Sequence, residues 1–261
     1  MVGFGTYKVA DRAQEIVESA LEVGYRHLDT AQMYGNEAEV GRAWTGSGLA
    51  RSDLFITSKL DNPNHREPEF SASWQQTLED LQTDYVDLFL IHWPLPMRYG
   101  GDFVTTWRQL EELHHSGQAR AIGLSNFEPE HIETILANTE VVPHVIQVES
   151  HPFFHNERVE ACAREHSIVF EAWSPLARGG TTTDPTLGEI GAKYGKSPAQ
   201  VALRWGLQTG HVVLPKASTP ARQRENLDLF DFRLTATEMA LIDQLDRGEA
   251  GRTGGHPLTR G

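Results

Sequence analysis

The sequence predicts an α/β fold, with one domain over residues 1–261 closed into a (β/α)8 barrel. Three observations point there: short β-branched or apolar runs alternate with longer stretches of helical period, the alternation supplies eight strand candidates, and no break in composition divides the 261 residues. That length is usual for a single barrel. The first strand candidate is residues 4–7. In Ala13–Val23, which follows, Ile16, Val17, Ala20 and Leu21 share one helical face, and Gly24 is placed to end the helix. The other strand candidates are 25–29, 54–59, 86–92, 119–125, 145–149, 168–173 and 212–215, with helices predicted over 69–81, 103–115, 129–138, 157–166 and 198–208. Strands separated by helices run parallel. Weakly patterned stretches at 94–102 and 175–185 read as active-site loops. The tail from about 247 carries little apolar content and reads as flexible or lightly docked.

Composition narrows the partners. The chain has 23 basic and 36 acidic residues, a formal net charge of −13, which is the wrong sign for nucleic acid or an anionic membrane surface. The single cysteine, Cys162, has no internal disulfide partner, and between Ala161 and Ala163 it reads as a buried helical thiol suited to a reducing compartment. Met1 leads directly into GFGTYK without a basic start or apolar run, and no apolar stretch reaches membrane-spanning length. The expectation is a soluble, cytoplasmic monomer acting on a small molecule.

In a barrel, function gathers where strands end and βα loops begin. Those positions hold Asp29, Lys59, His92, Ser125 with Asn126, Gln147 with Glu149, Trp173 and Lys216. Each has a plain explanation alone, as a helix cap, a solvated lysine or a core histidine, but together they are too polar for a packing face. Asp29 and Lys59 can pair, and Tyr34 follows Asp29 within one loop length. An ammonium beside a phenol favours the phenolate over its ordinary value of roughly 10, so Tyr34 is expected to donate a proton near neutral pH. His92 could hydrogen-bond the substrate oxygen. These groups suit carbonyl reduction: an acid for the oxygen as a hydride reaches the carbon.

Here the residues become familiar. LDTAQMYGNEAEVGRA (28–43), LFITSKL (54–60), VDLFLIHWP (86–94), GLSNF (123–127), QVESHP (147–152), AWSPLARGG (172–180) and VVLPKASTPARQRENLD (212–228) resemble the aldo-keto reductase family, in the family's order and over nearly the whole chain. The ending FDFRLTATEMALID and the later GR…HP look most like bacterial 2,5-diketo-D-gluconate reductases, so keto-sugar acids join the expected aldehyde and ketone substrates. The resemblance implies a TIM barrel, NADPH as cofactor with NADH possible at lower efficiency, and a catalytic tetrad of Asp29, Tyr34, Lys59 and His92. It implies Ser125, Asn126 and Gln147 on the nicotinamide carboxamide, and Trp173 against the ring, with Ser174 and Leu176 of the adjacent SPL beside it. GFGTYK lacks the third glycine of a dinucleotide fingerprint, so the phosphates need another holder. The segment after the eighth strand offers Lys216, Ser218, Arg222 and Asn226. By resemblance, Lys216 and Arg222 hold the 2′-phosphate while Glu225 and Asn226 reach the adenine. Tyr7, Trp93 and Trp107 are expected to shape an apolar substrate mouth, although Trp107 could equally be helix core.

Two departures from the family pattern stand out. Ala217 replaces a common serine, which removes one hydroxyl contact to the 2′-phosphate, and the chain starts almost at its first strand where most relatives carry an N-terminal β-hairpin. Rival chemistries use only part of the constellation. A Schiff-base aldolase would need Lys59 but gives Tyr34 and 216–226 no task. A cofactor-binding subunit without turnover would not need the tetrad. A metal hydrolase lacks an HxH pair on any strand, and His114 and His115 are helical neighbours that point apart, so no metal site is expected.

Overall fold

The computed structural model describes residues 1–9 and 12–259. Its eight strands form one all-parallel sheet in chain order: β1 (Phe4–Gly5), β2 (His27–Asp29), β3 (Phe55–Leu60), β4 (Val86–Ile91), β5 (Ala119–Ser125), β6 (Val145–Glu149), β7 (Val169–Trp173) and β8 (Val212–Leu214). The ring closes where Val2 bridges Val213 in parallel, with the Gly3 N–H on Val213 O at 2.9 Å and the Gly5 N–H on Pro215 O at 3.2 Å. The fold is the expected (β/α)8 TIM barrel. Its closing seam joins two very short strands, β1 of two residues and β8 of three.

Around the ring run α1 (Ala13–Val23), α2 (Glu37–Gly46), α3 (Glu69–Leu81), α4 (Val104–His115), α5 (Pro129–Asn138), α6 (Glu157–Glu165), α7 (Pro185–Tyr194), α8 (Pro198–Thr209), α9 (Pro220–Leu227) and α10 (Ala236–Asp243). Local chemistry sets several starts. Asp184, Ser197 and Thr219 each cap a helix whose next residue is proline: the cap oxygen accepts a backbone N–H of the first turn, and proline occupies a position that needs no donor. Helices α2, α7, α9 and α10 were absent from the predicted set.

Period-two alternation divides the barrel. Leu28, Ile56, Phe89, Ile122, Ile146, Phe170 and Val213 pack outward in the main core, with Val17, Leu81, Trp107 and Ile132 among the residues that meet them. Leu88, Leu90 and Val145 form a small apolar cluster of their own. Toward the upper end the interior becomes polar, with Asp29, Lys59, Gln147 and Glu171 all buried. A second apolar cluster, including Leu187, Trp205, Leu234 and Ile242, ties α7, α8 and α10 together.

One expectation is corrected and a second is narrowed. Trp107 is wholly buried in α4 with its indole N–H on Val141 O at 3.2 Å, so it belongs to the helix-to-sheet core and not to a substrate mouth. The tail, read as flexible or lightly docked, is held by backbone bonds. Arg247 N–H reaches Phe153 O at 3.0 Å, and Thr253 N–H and Gly254 N–H reach the two oxygens of Glu149 at 2.7 and 2.8 Å. Glu149, at the end of β6, supplies charged acceptors that composition could not reveal. No helix among the described residues is long and apolar enough to cross a membrane.

Candidate active site

Lys59 organises the upper interior. Its side chain is 0% exposed, and Nζ donates to Asp29 Oδ1 at 2.7 Å, Thr30 O at 2.8 Å and Tyr34 Oη at 3.3 Å, so all three ammonium hydrogens have acceptors. Tyr34 arrives on a 3-10 turn, Gln32–Tyr34, closed by Gly35 at φ 64°, a left-handed position that suits glycine. Two amides that the sequence reading did not single out hold this turn. Asn36 donates to Thr6 O at 2.9 Å and accepts from Thr30 Oγ1 at 2.9 Å, while Gln32 donates to Thr77 Oγ1 at 3.0 Å and accepts the Asp61 N–H at 2.8 Å. A polar residue beside a glycine in a turn was the available signal.

The expected electrostatics need correction. Burial raises the Tyr34 phenol above its ordinary value, and the nearby Lys59 ammonium only partly offsets that. Tyr34 is therefore an acid that keeps its proton. Burial works against the Lys59 charge, but Asp29 and Tyr34 outweigh it and hold the ammonium above its usual range.

Above these groups opens a cavity of about 820 Å³. Its walls include Asp29, Tyr34, His92, Ser125, Asn126, Gln147, Trp173, Ser174 and Leu176, with Tyr7 and Trp93 beside them and Lys216, Arg222, Glu225 and Asn226 along the same cavity. Lys59 lies behind the wall, touching Tyr34. Ser218 supports the wall from outside, accepting from Lys216 Nζ at 2.6 Å. The tetrad residues are thus together, and Trp107 alone among the candidates stands apart in the core. Met33, Lys8, Arg178, Gly179, Gly254 and Gly255 also line the cavity and were missed. The last four sit in the predicted 175–185 loop and in the tail. A Cβ on Gly254 would stand 2.4 Å from the Trp173 ring, so this glycine permits the tail to pack on the indole.

The His92 ring meets Tyr34 edge-on, with centroids 5.7 Å apart, and its carbonyl accepts from Asn126 Nδ2 at 2.9 Å. Asn126 holds left-handed backbone at φ 62°, donates a second hydrogen to Ser125 Oγ at 3.0 Å, and accepts the Trp173 indole N–H at 2.9 Å. A non-glycine residue in this region is uncommon and is found where side-chain bonds fix it. Gln147 donates to Asp29 Oδ2 at 2.7 Å and to Glu171 Oε2 at 3.0 Å. Further along, α9 docks on the first unit: Tyr25 Oη donates to Gln223 O at 3.2 Å and Gln223 Nε2 to Ile16 O at 3.0 Å.

Comparisons agree with this geometry. The profile of the Aldo/keto reductase family matches residues 1–247. Among curated relatives, the glyoxal reductase of Bacillus subtilis (strain 168) is 43% identical over 257 residues, covering 98% of this chain and 91% of that protein. A variant of Gox0644 solved in complex with NADPH superposes with a TM-score of 0.94 at 39% identity, over 100% of this chain and 94% of that one. A structure provisionally assigned as a 2,5-diketo-D-gluconic acid reductase B gives a TM-score of 0.93 at 40% identity, over 97% and 90% of the two chains. The buried Asp29 and Lys59 pair with Tyr34 beside it, the barrel that presents them and these full-length matches lead to one statement: the chain belongs to the aldo/keto reductase family of oxidoreductases.

Proposed function

We propose that this enzyme reduces aldehydes and ketones to alcohols, with Tyr34 as the proton donor to the carbonyl oxygen. The supporting observation is the run from buried Asp29 through buried Lys59 to half-buried Tyr34, 2.7 and 3.3 Å between successive polar atoms, opening on the cavity floor. NADPH fits that cavity on the chemistry of its walls. Near Tyr34, the Ser125 hydroxyl accepts from Asn126 and keeps its own hydrogen to donate, while Asn126 and Gln147 spend their N–H groups on protein acceptors; the Gln147 oxygen is left to accept, and the Asn126 oxygen, which takes the Trp173 indole N–H, has a second lone pair to offer. One donor and two acceptors complement a primary carboxamide. Trp173 offers an indole face for the nicotinamide, flanked by Ser174 and Leu176. Lys216, held by Ser218, and Arg222 supply cations for the 2′-phosphate, and Glu225 and Asn226 line the adenine end. Ala217 contributes no hydroxyl there, consistent with some use of NADH.

When bound, NADPH supplies the hydride. The chain does the rest. His92 orients the carbonyl oxygen toward Tyr34, whose raised proton affinity keeps the donor loaded at neutral pH, yet an alkoxide is far more basic than a phenolate, so transfer runs downhill. Lys59, neutralised by Asp29, then stabilises the phenolate. Tyr7 and Trp93 give the mouth an aromatic rim suited to a small substrate. The likeness to a glyoxal reductase favours small dicarbonyls, with keto-sugar acids as the second class to test. A panel of simple aldehydes, α-keto aldehydes and keto-sugar acids, followed by NADPH absorbance, tests the proposal. No turnover with any of them would remove it.

A further inference from the structure

We infer that Glu171 is a positioning residue that fixes the Gln147 amide with its oxygen toward the cavity, so that Gln147 meets the cofactor carboxamide only as an acceptor. The inference rests on the cofactor placement proposed above and adds a residue outside that set. Glu171 lies on β7, two residues before Trp173, and its side chain enters the barrel from the same face. Register pairs it directly with Gln147 on β6. It is buried, and no solvent is at hand to substitute for its bond to the amide.

The argument is one of counting. A primary amide has two N–H hydrogens and one carbonyl oxygen. Gln147 Nε2 stands 2.7 Å from Asp29 Oδ2 and 3.0 Å from Glu171 Oε2, so both hydrogens are committed to carboxyl oxygens below the cavity. Turning the amide over would aim its oxygen at both acceptors. Asp29 resists this because Lys59 holds it through the other oxygen at 2.7 Å. Asp29 alone, however, secures one hydrogen and leaves the amide able to swing about that bond. Glu171 removes this freedom. Burial, with the Asp29 charge adding to it and Gln147 and Lys59 opposing, brings Glu171 to about 7, and either protonation state leaves an oxygen able to accept from Gln147. The clamp therefore holds across neutral pH.

Two cofactors that differ only at the carboxamide report on it: NADPH, and its 3-acetylpyridine analogue, in which a methyl replaces the amide NH2. Dissociation constants are read from quenching of tryptophan fluorescence, without turnover. Because Asn126 and Gln147 each offer the amide NH2 an acceptor, the wild type is expected to favour NADPH by about a hundredfold, the scale of two net hydrogen bonds. Glu171→Met should cut that ratio by about tenfold, the share of Gln147, while Glu171→Gln, which retains an acceptor oxygen, should preserve it. A merely structural role would weaken both cofactors alike and leave the ratio intact, which would overturn the inference. If Glu171→Met does not fold, Glu171→Leu, which likewise offers no acceptor, is read in the same way. A wild type indifferent to the two cofactors would instead overturn the Gln147 contact itself, and with it the proposed nicotinamide placement.

Discussion

Replacing Tyr34 with phenylalanine deletes one atom from the proposed mechanism and little else. The ring keeps its neighbours, Tyr7 at 5.0 Å and His92 at 5.7 Å between centroids. Lys59 loses its longest bond, 3.3 Å, but retains Asp29 at 2.7 Å and Thr30 O at 2.8 Å, so the buried ammonium is not orphaned. The fold should survive, with a melting temperature within about 4 °C of wild type for a loss near 1 kcal/mol. Catalysis should not. A positioned acid contributes on the order of 10² to 10⁴ in rate, or about 3 to 5 kcal/mol at 1.36 kcal/mol per decade. The assay is kcat and kcat/KM for glyoxal reduction by NADPH absorbance, beside the NADPH dissociation constant from tryptophan quenching. Both kinetic constants should fall together while NADPH binding stays unchanged. Because the acid form is required and burial raises the Tyr34 value, wild-type reduction should lose activity on this group only above the ordinary phenol range near 10. Turnover within about threefold of wild type, with normal cofactor binding, would refute the assignment of the proton donor.

Lys59→Met should cripple turnover and, by leaving Asp29 buried without its ion partner at 2.7 Å, cost about 3 to 5 kcal/mol in stability; denaturant titration reads the second effect, and unchanged stability would contradict the burial argument. Removing the charge of either Lys216 or Arg222 should weaken NADPH by roughly 1.5 to 3 kcal/mol and barely affect NADH, and the double variant should narrow or reverse the preference. Equal losses with both cofactors would place the 2′-phosphate elsewhere. Gly254→Ala should raise KM and disturb cofactor binding, since its Cβ would meet Trp173 at 2.4 Å, and wild-type constants would show that the tail gives way at no cost. Glu37 is raised from 4.5 to about 7, first by burial and against hydrogen bonds from Ser58 and Thr77. Its favourable contribution is present below 4.5 and lost as pH climbs through 7, so the stability of Glu37→Gln relative to wild type should grow between pH 5 and pH 8 by up to about 3 kcal/mol. A pH-independent difference in melting temperature would count against it.

How much of this could be read from the chain alone varied with the length and regularity of the signal. Long amphipathic segments such as α3 and α4 were legible because apolar residues at helical spacing can face only one side. Helix α2 was not: Gly41, where a Cβ would collide with the Asp80 carbonyl, and the buried Glu37 interrupt its apolar face. Helix α10 wears apolar residues on more than one side because it closes a second core against α7 and α8. At the site, Asp29, Lys59 and His92 were visible as polar residues at strand ends, and Tyr34 as a phenol one loop length beyond Asp29. Their energetics were not, because the net effect on Tyr34 depends on how deeply the loop buries it. Trp107 shows the converse, an aromatic whose role depends on which way a helix turns. Glu171 sat within a read strand, and a carboxylate amid apolar neighbours was the overlooked sign.

The seam of the barrel has a further consequence. Where β8 meets β1, few rungs link the two strands, and the ring is completed there by Val2 and by backbone bonds from Gly3 and Gly5. The same junction is spanned from outside by α9, whose Gln223 grips the carbonyl of Ile16 and whose neighbour Arg222 faces the cavity. A dinucleotide lying from Gln147 to Arg222, as proposed, would end on the helix that spans this junction. Ligand binding that favours only the closed ring adds its free energy where local opening is easiest. On the proposed placement, cofactor occupancy would then add to the stability of the closed ring.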